Sequence, residues 1–428
     1  MGGLSPLGFG VALSGGGSRA AAFHCGTLRA LVDLGWLDRV DVVSTVSGGS
    51  VFGGAWMAAR LRREPEDAFL GRMARELERG FVLRSLGARA LKLLLPGFTR
   101  TDLLADTFDR VFLAGATLDR LPDRPALCLN VTVLNHAQVG KLSKKGFQTP
   151  WLTGPPAAAG STPVALPAFP LARAVAASAA FPVGLPPVAL RLPGEPPRTG
   201  PLAGARTLWL TDGGVLENLG AQTLLASTGF GTWDLLVSDA GVRETAWTRS
   251  MATPFRSLLI SILSAGTLER ILTTMNDKEN RSMRAAVARD VEATWVSQVA
   301  RDPARQGDLA EHAAGSARPR RKLYFARVDQ TWSRFLSGIP RWRWIELGVR
   351  NVPTASPAYA PADAAAVLAA HGVALGAAKD LYRELGGDDR AAALNRVKTG
   401  FTALAPGDVR DLALHARWQV HLARAVYG

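Results

Sequence analysis

The sequence predicts an α/β protein built on a mostly parallel sheet. Three observations carry that reading: strand and helix patterns alternate at the N-terminus, a glycine-rich turn joins the first strand to a helix, and a serine-containing turn joins the second strand to another helix.

Apolar, β-branched runs place strands near Leu7–Ser14, Val40–Val46, Ala126–Leu134, Thr207–Thr211, Asp234–Asp239 and Lys322–Val328. Between the first two, residues 18–34 form a helix with Phe23, Thr27, Ala30, Leu31 and Leu34 along one face and Gly35 at the C-terminal cap. Residues 51–60 continue as an apolar helix after the second strand. Two stretches, 55–120 and 241–315, read as largely helical insertions, the second ending in a basic loop at 316–322. The Pro/Gly-rich piece 194–204 is expected to be a surface loop. Residues 361–428 are Ala-rich and helical, interrupted at 386–389. With no internal repeat and no clear linker, a single elaborated domain over 1–428 is expected, its core at about 8–240 with Lys322–Val328 as an added strand.

Composition is globular, with 47% hydrophobic and 20% charged residues, which excludes a disordered chain. Cys25 and Cys128 have no paired spacing, so neither a disulfide framework nor a zinc site is expected, in keeping with a reducing compartment. The first residues lack a basic region before the first strand, so a signal peptide is not expected. Residues 257–268, the longest apolar stretch, are too short to span a membrane and read as a buried helix. The net charge of +14 suits an anionic partner (a phospholipid surface, an anionic substrate or nucleic acid), and equally suits surplus charge for solubility.

Three features bear on chemistry. Ser14-Gly15-Gly16-Gly17-Ser18-Arg19 ends the first strand and opens the first helix. Glycines let this backbone turn tightly and leave N–H groups uncovered beside the positive end of a helix, where a phosphate or an oxyanion is stabilised. It is no Walker loop, because no Gly-Lys-Ser/Thr follows, and Ala20 stands where a dinucleotide loop has its last Gly. Alone, such a loop is more often a plain turn.

The second feature is Ser44-Thr45-Val46-Ser47-Gly48-Gly49-Ser50, between a strand and an apolar helix. A serine on a sharp strand-to-helix turn is held clear of the sheet above a helix N-terminus. Thr45 replaces the first Gly of the usual G-x-S-x-G pattern, and a β-branched residue fits a strained turn less easily. The third is Thr211-Asp212-Gly213-Gly214, where an Asp at a strand end is either an ordinary turn residue or a carboxylate brought to the edge of the sheet that holds Ser47.

Together these features resemble the patatin-like phospholipases. Leu129-Asn130-Val131-Thr132, Ala177-Ser178-Ala179-Ala180-Phe181-Pro182 and the run from Asp212 to Gly220 are similar to further segments of that family, so the resemblance covers about residues 8–240. It implies a three-layer α/β/α sandwich with helical insertions, and hydrolysis of fatty acyl esters (phospholipase A or lysophospholipase type) through an acyl-enzyme. Ser47 is then the nucleophile, Asp212 the base of a Ser–Asp dyad, and Gly15, Gly16 and Gly17 the oxyanion hole, with Arg19 supporting that loop. No metal or organic cofactor is implied. The expected partner is a phospholipid or other acyl-ester lipid, with no nucleic acid, and the expected location is cytoplasmic or peripheral at an anionic membrane. An inactive lipid-binding or regulatory module on the same fold is the alternative.

A free Asp titrates near 3.9 and is a poor acceptor for a hydroxyl proton, so burial of Asp212 is required to raise it. His24 lies near the glycine loop and is read as a packed residue rather than a base. A Ser-Asp-His triad using His312, His371, His415 or His421 is disfavoured, since too few strands precede Ser47. Asp239 is the rival base and lacks the Gly-Gly context. Residues 81–95 read as a basic amphipathic helix that either lies at a bilayer or packs as a core helix with a solvated face, the second being preferred. Trp332-Ser333-Arg334-Phe335 and Arg341-Trp342-Arg343-Trp344 interleave aromatics with Arg, which suits a lipid headgroup region or stacking on nucleobases, and buried tryptophans with Arg stems over them are the preferred reading.

Overall fold

A computed structural model describes residues 8–80, 88–153, 162–182, 184–226, 234–241, 282 and 322–428. Among these residues the sheet has nine strands: β1 (Phe9–Leu13), β2 (Val40–Thr45), β3 (Ala126–Val133), β4 (Gln138–Ser143), β5 (Gly146–Gln148), β6 (Val188–Arg191), β7 (Thr207–Asp212), β8 (Asp234–Asp239) and β9 (Leu323–Arg327). The order across the sheet is β5-β4-β3-β2-β1-β8-β9, and β7 pairs with both β3 and β6. The five central strands, β3 through β9, are parallel to one another. β1 and β8 are buried along their whole length, which is why they read as nearly unbroken apolar runs rather than alternating ones.

Both faces of the sheet are covered. One carries the large core, built from α1 (Gly17–Asp33), α2 (Gly48–Leu61), α3 (Glu66–Arg79), α4 (Arg100–Phe108) and α5 (Leu171–Ser178). The other carries a smaller cluster in which Ala12, Val42, Leu235 and Val237 meet Leu219, Ala221 and Leu224, the last on α6 (Gln222–Ala226). Toward the C-terminus come α7 (Trp332–Ser337), α8 (Arg341–Glu346), α9 (Pro361–Ala370), α10 (Gly376–Leu385), α11 (Gly387–Leu394) and α12 (Pro406–Tyr427). Residues of α12, Trp418 and Leu422 among them, are fully buried and belong to the same core as Phe23 and Leu31 of α1.

β7 decides the geometry of the site. β2 pairs with the first half of β3, ending at Thr45↔Leu129, and β7 pairs antiparallel with the second half, ending at Asp212↔Val131. The two strands therefore lie end to end along one edge of β3, with their C-terminal ends facing. Asp212 reaches Ser47 by running against the parallel strands rather than alongside them.

Several expectations need correction. The hairpin β4–β5 and the short β6 escaped the sequence reading. Residues 88–94 form a 3₁₀ helix rather than part of an α-helix, and Leu91, Leu94 and Leu95 are 69%, 80% and 58% exposed, against the preferred core packing; residues 81–87 lie outside the described residues. The helical reading of 241–315, the apolar stretch 257–268 and most of the loop at 316–322 likewise lie outside them, apart from residues 241 and 282. In the C-terminal stretch the expected break narrows to Gly386, whose left-handed backbone (φ 100°) ends α10 and starts α11, and two further breaks that were not expected fall at 371–375 and 395–405. The tryptophans pack on α12 and its surroundings: Trp332 contacts Trp418, Trp342 contacts Tyr427 and Trp344 contacts Tyr359. The buried Arg343 bonds the Val426 carbonyl and Glu346 rather than lying over those rings. Among the described residues no helix is long and apolar enough to cross a membrane.

Candidate active site

Ser47 is the residue on which β2 turns into α2. Its backbone sits at φ 50°, ψ −118°, a strained conformation for a residue with a side chain. The surroundings hold it there. Its N–H donates to Ser178 O at 3.1 Å, and Val46 N donates to Leu13 O at 3.1 Å. Beneath the turn runs a buried hydroxyl chain: Thr45 Oγ1 to Ser50 Oγ at 2.8 Å, Ser50 Oγ to Ser178 Oγ at 2.7 Å, and Ser178 Oγ donating to Asn130 O at 2.5 Å. Asn130 Nδ2 in turn donates to Ser44 Oγ and Thr45 O at 2.9 and 3.0 Å. Thr45 is thus part of the scaffold that braces the turn, its hydroxyl also donating to Cys128 O at 3.1 Å.

The Ser47 side chain faces the Asp212 carboxylate and favours its charged form. Gly214 N donates to that carboxylate at Oδ1 at 2.7 Å. Asp212 is buried, and burial pushes its pKa up from 3.8 to about 6 despite the opposing influence of Ser47 and Gly214. A hydroxyl held against a carboxylate so raised is an arrangement suited to proton transfer near neutral pH.

The glycine loop lies against this pair. A Cβ on Gly15 would fall 3.0 Å from Ser47 Cβ and 2.1 Å from Asn218 Oδ1. Gly48 touches Gly17 so closely that its Cβ would lie 2.6 Å from Gly17 N, a position open only to glycine. Within the expected oxyanion set the structure draws a distinction. Gly15 N already donates to Asn218 O at 3.0 Å, whereas no acceptor among the described residues takes the N–H of Gly16 or Gly17 at the N-terminus of α1. Those two amides and the helix terminus are what an oxyanion would meet.

Arg19 is fully buried and turns away from that position. Its guanidinium donates to Asn395 O and Val397 O, both at 3.1 Å, and to Ala240 O. Ser18 N donates to Gly400 O at 3.1 Å, so the segment between α11 and α12 is strapped onto the loop. Asn218, Ser178, Ser50 and Asn130 had no assigned role in the sequence reading. Polar residues inside the segments 129–132, 177–182 and 212–220 were the available signal.

The histidines are engaged elsewhere. His24 is buried and bonds Ser14 O and Ser238 Oγ; His415 bonds Val328 O and Trp418; His421 faces Asp33; His371 bonds Val367 O. His312 lies outside the described residues. Asp239 is buried and accepts from Gly241 N at 3.0 Å. No group of three potential metal ligands occurs among the described residues.

Fold and site together define an α/β protein with a nucleophile-type serine turn facing a buried carboxylate. More particularly, the chain belongs to the patatin-like phospholipase family, a lipolytic hydrolase family whose sequence profile matches residues 11–225, half of the chain. Among solved structures, human GIVD cytosolic phospholipase A2 is similar at 14% identity, covering 98% of this chain and 62% of that one with a TM-score of 0.48. VipD from Legionella pneumophila is similar at 14% identity over 86% of this chain and 67% of that one (TM-score 0.29). ExoU of the Pseudomonas aeruginosa type III secretion system, in complex with SpcU, matches at 14% identity over 96% and 76% (TM-score 0.26). Against the human enzyme in complex with methyl gamma-linolenyl fluorophosphonate, the chain spans about a quarter of that chain's length, 24%. No curated protein matches the sequence.

Proposed function

We propose that this protein is a serine acyl hydrolase of phospholipase A or lysophospholipase type, with Ser47 as nucleophile and Asp212 as its base. The strained Ser47 facing the buried Asp212, beside the amides of Gly16 and Gly17, is the observation that carries the reading.

Ser47 Oγ attacks the ester carbonyl carbon while its proton passes to Asp212. The carbonyl oxygen becomes an oxyanion that accepts from Gly16 N and Gly17 N, and this stabilisation supplies most of the barrier lowering. Collapse breaks the bond to the alcohol, which leaves with the proton from Asp212, and an acyl-Ser47 ester remains. Water then gives a proton to Asp212 as it attacks that ester. The second collapse frees the fatty acid and returns the proton to Ser47 Oγ. Gly15 and Arg19 shape the loop in this scheme, and no cofactor takes part.

The same reading takes the whole of 1–428 as one catalytic unit, since Arg19 and Ser18 are tied to carbonyls at 395–400. It makes an acyl-ester lipid the substrate and no nucleic acid a partner. It places the protein in the cytoplasm, meeting an anionic membrane peripherally, with the net charge of +14 as support. The test is hydrolysis of a panel of diacyl and lysophospholipids by the purified protein, with released acyl chains and their positions read by mass spectrometry and Ser47→Ala as control. Ser47-dependent release of fatty acid is expected. Lipid binding without release would favour an inactive lipid-binding module instead.

A further inference from the structure

The buried histidine beneath the glycine loop has a bonding pattern whose direction is fixed at every link. His24 Nε2 lies 2.9 Å from Ser14 O and Nδ1 lies 2.8 Å from Ser238 Oγ. A carbonyl oxygen only accepts, so Nε2 carries the hydrogen. The neutral ring then accepts at Nδ1, which commits the Ser238 hydroxyl to donating. Thr27 Oγ1, 2.8 Å from Ser238 Oγ, must therefore be the donor in the last link. Burial holds the His24 pKa down at about 4, against the raising effects of the Ser14 carbonyl and of Asp239, so the ring stays neutral at working pH.

What this chain holds is one peptide group. The Ser14 carbonyl is fixed by His24, and the N–H at the other end of the same peptide, that of Gly15, donates to Asn218 O at 3.0 Å. The next residues, Gly16 (φ 139°) and Gly17 (φ 59°), have no side chains to restrict rotation. The orientation of their amides therefore depends in part on the peptide that precedes them. Further ties run to the same strand end: Ser14 N donates to Ser238 O at 3.0 Å, and Ala240 N donates to Ser14 Oγ at 2.7 Å.

We infer that His24 is a positioning residue for the proposed oxyanion hole, holding the Ser14–Gly15 peptide so that the Gly16 and Gly17 amides are preset toward the Ser47 ester. The inference rests on the dyad reading above. His24 exchanges no proton with substrate; its effect passes through the backbone.

The experiment compares His24→Leu and His24→Gln with the wild type, using a monomeric acyl ester. The Gln amide nitrogen can stand near the place of Nε2 and donate to Ser14 O without charge. Loss of an oxyanion donor costs about 10²–10³ in turnover, so partial disorder of two of them is expected to lower kcat roughly ten- to hundredfold in His24→Leu. KM is expected to stay within about threefold, because binding energy realised only in the transition state appears in kcat. His24→Gln is expected to recover most of that loss. Unchanged kcat in His24→Leu, equal losses in both variants, or a loss confined to KM would each overturn the inference. Two readouts do not need catalysis: nitrogen NMR of the ring, expected to show hydrogen on Nε2, and amide exchange at Gly15–Gly17, expected to quicken in His24→Leu. A ring with hydrogen on Nδ1, or unchanged exchange, would overturn it. Absence of Ser47-dependent turnover in the wild type would instead remove the dyad reading, while these two readouts still decide whether His24 holds the loop.

Discussion

Ser47 and Asp212 meet because the strands that carry them, β2 and β7, run toward each other along the same edge of β3 and stop two residues apart on it, at Leu129 and Val131. The side chain of one then faces the buried carboxylate of the other.

The first consequence is a pH dependence. As the proposed base, Asp212 can act only when ionised, and burial raises its pKa to about 6. The acylation rate of the free protein is expected to rise with pH, with a midpoint near 6 and about a tenfold loss per unit well below it. The pH profile of kcat/KM on a non-ionising ester checks this. A flat profile from pH 4.5 to 8 would contradict the role of Asp212.

The same shift has a cost in stability. The folded protein binds the Asp212 proton more tightly than the unfolded chain does, so stability from this group falls as pH climbs from 3.8 toward 6 and stays lower above it. Asp212→Asn removes that penalty. The variant is expected to be inactive yet more stable than the wild type at pH 8, by up to about 3 kcal/mol, with the advantage vanishing below pH 4. Thermal melts of the two proteins across pH measure it. An equal or lower melting temperature at pH 8 would count against a buried, penalised carboxylate.

Thr45 offers a test of how the turn is braced. Replacing it with Gly restores the commoner G-x-S-x-G pattern but removes its bonds to Ser50 Oγ and Cys128 O and adds backbone freedom. Thr45→Gly is expected to destabilise the fold by about 2–3 kcal/mol, read as a lowered denaturant midpoint at unchanged slope. No change would mean that the hydroxyl chain does not hold the turn.

Arg19 ties the glycine loop to residues far along the chain. Arg19→Met keeps the length of the side chain and removes its donors, leaving the carbonyls of Asn395, Val397 and Ala240 without this partner. A loss of roughly 3 kcal/mol or more is expected, together with faster trypsin cleavage at Arg396 or Lys398. Wild-type stability and cleavage would contradict a strap held by Arg19.

Much of this was legible in the sequence because the signals were local. The parallel strands are short apolar runs, and the loop at 15–17 and the turn at 47 lie where strand gives way to helix, so β1, β2, β3, β7 and β8 were found within a residue or two. The strands that escaped are those with weak apolar patterns: β4 carries Gly140 and Lys141, and β6 has four residues behind a run of prolines. Within the site, the placing of Ser47 and Asp212 followed from motif order. The division between Gly15 and its two neighbours did not, because it depends on Asn218 O, a backbone atom brought over by tertiary packing. Arg19 met its partners only when the chain returned at 395–397, a pairing that no local pattern records.

The central claim is that Ser47 and Asp212 act as one unit, and a single set of rates tests it most directly. Labelling by a fluorophosphonate and hydrolysis of an acyl ester are measured for the wild type, Ser47→Ala, Asp212→Asn and the double variant. The account predicts labelling at Ser47 alone, loss of hydrolysis in each single variant, and a double variant no worse than either, because residues that act together lose their effect together. Labelling that survives Ser47→Ala, or losses that add in the double variant, would contradict it.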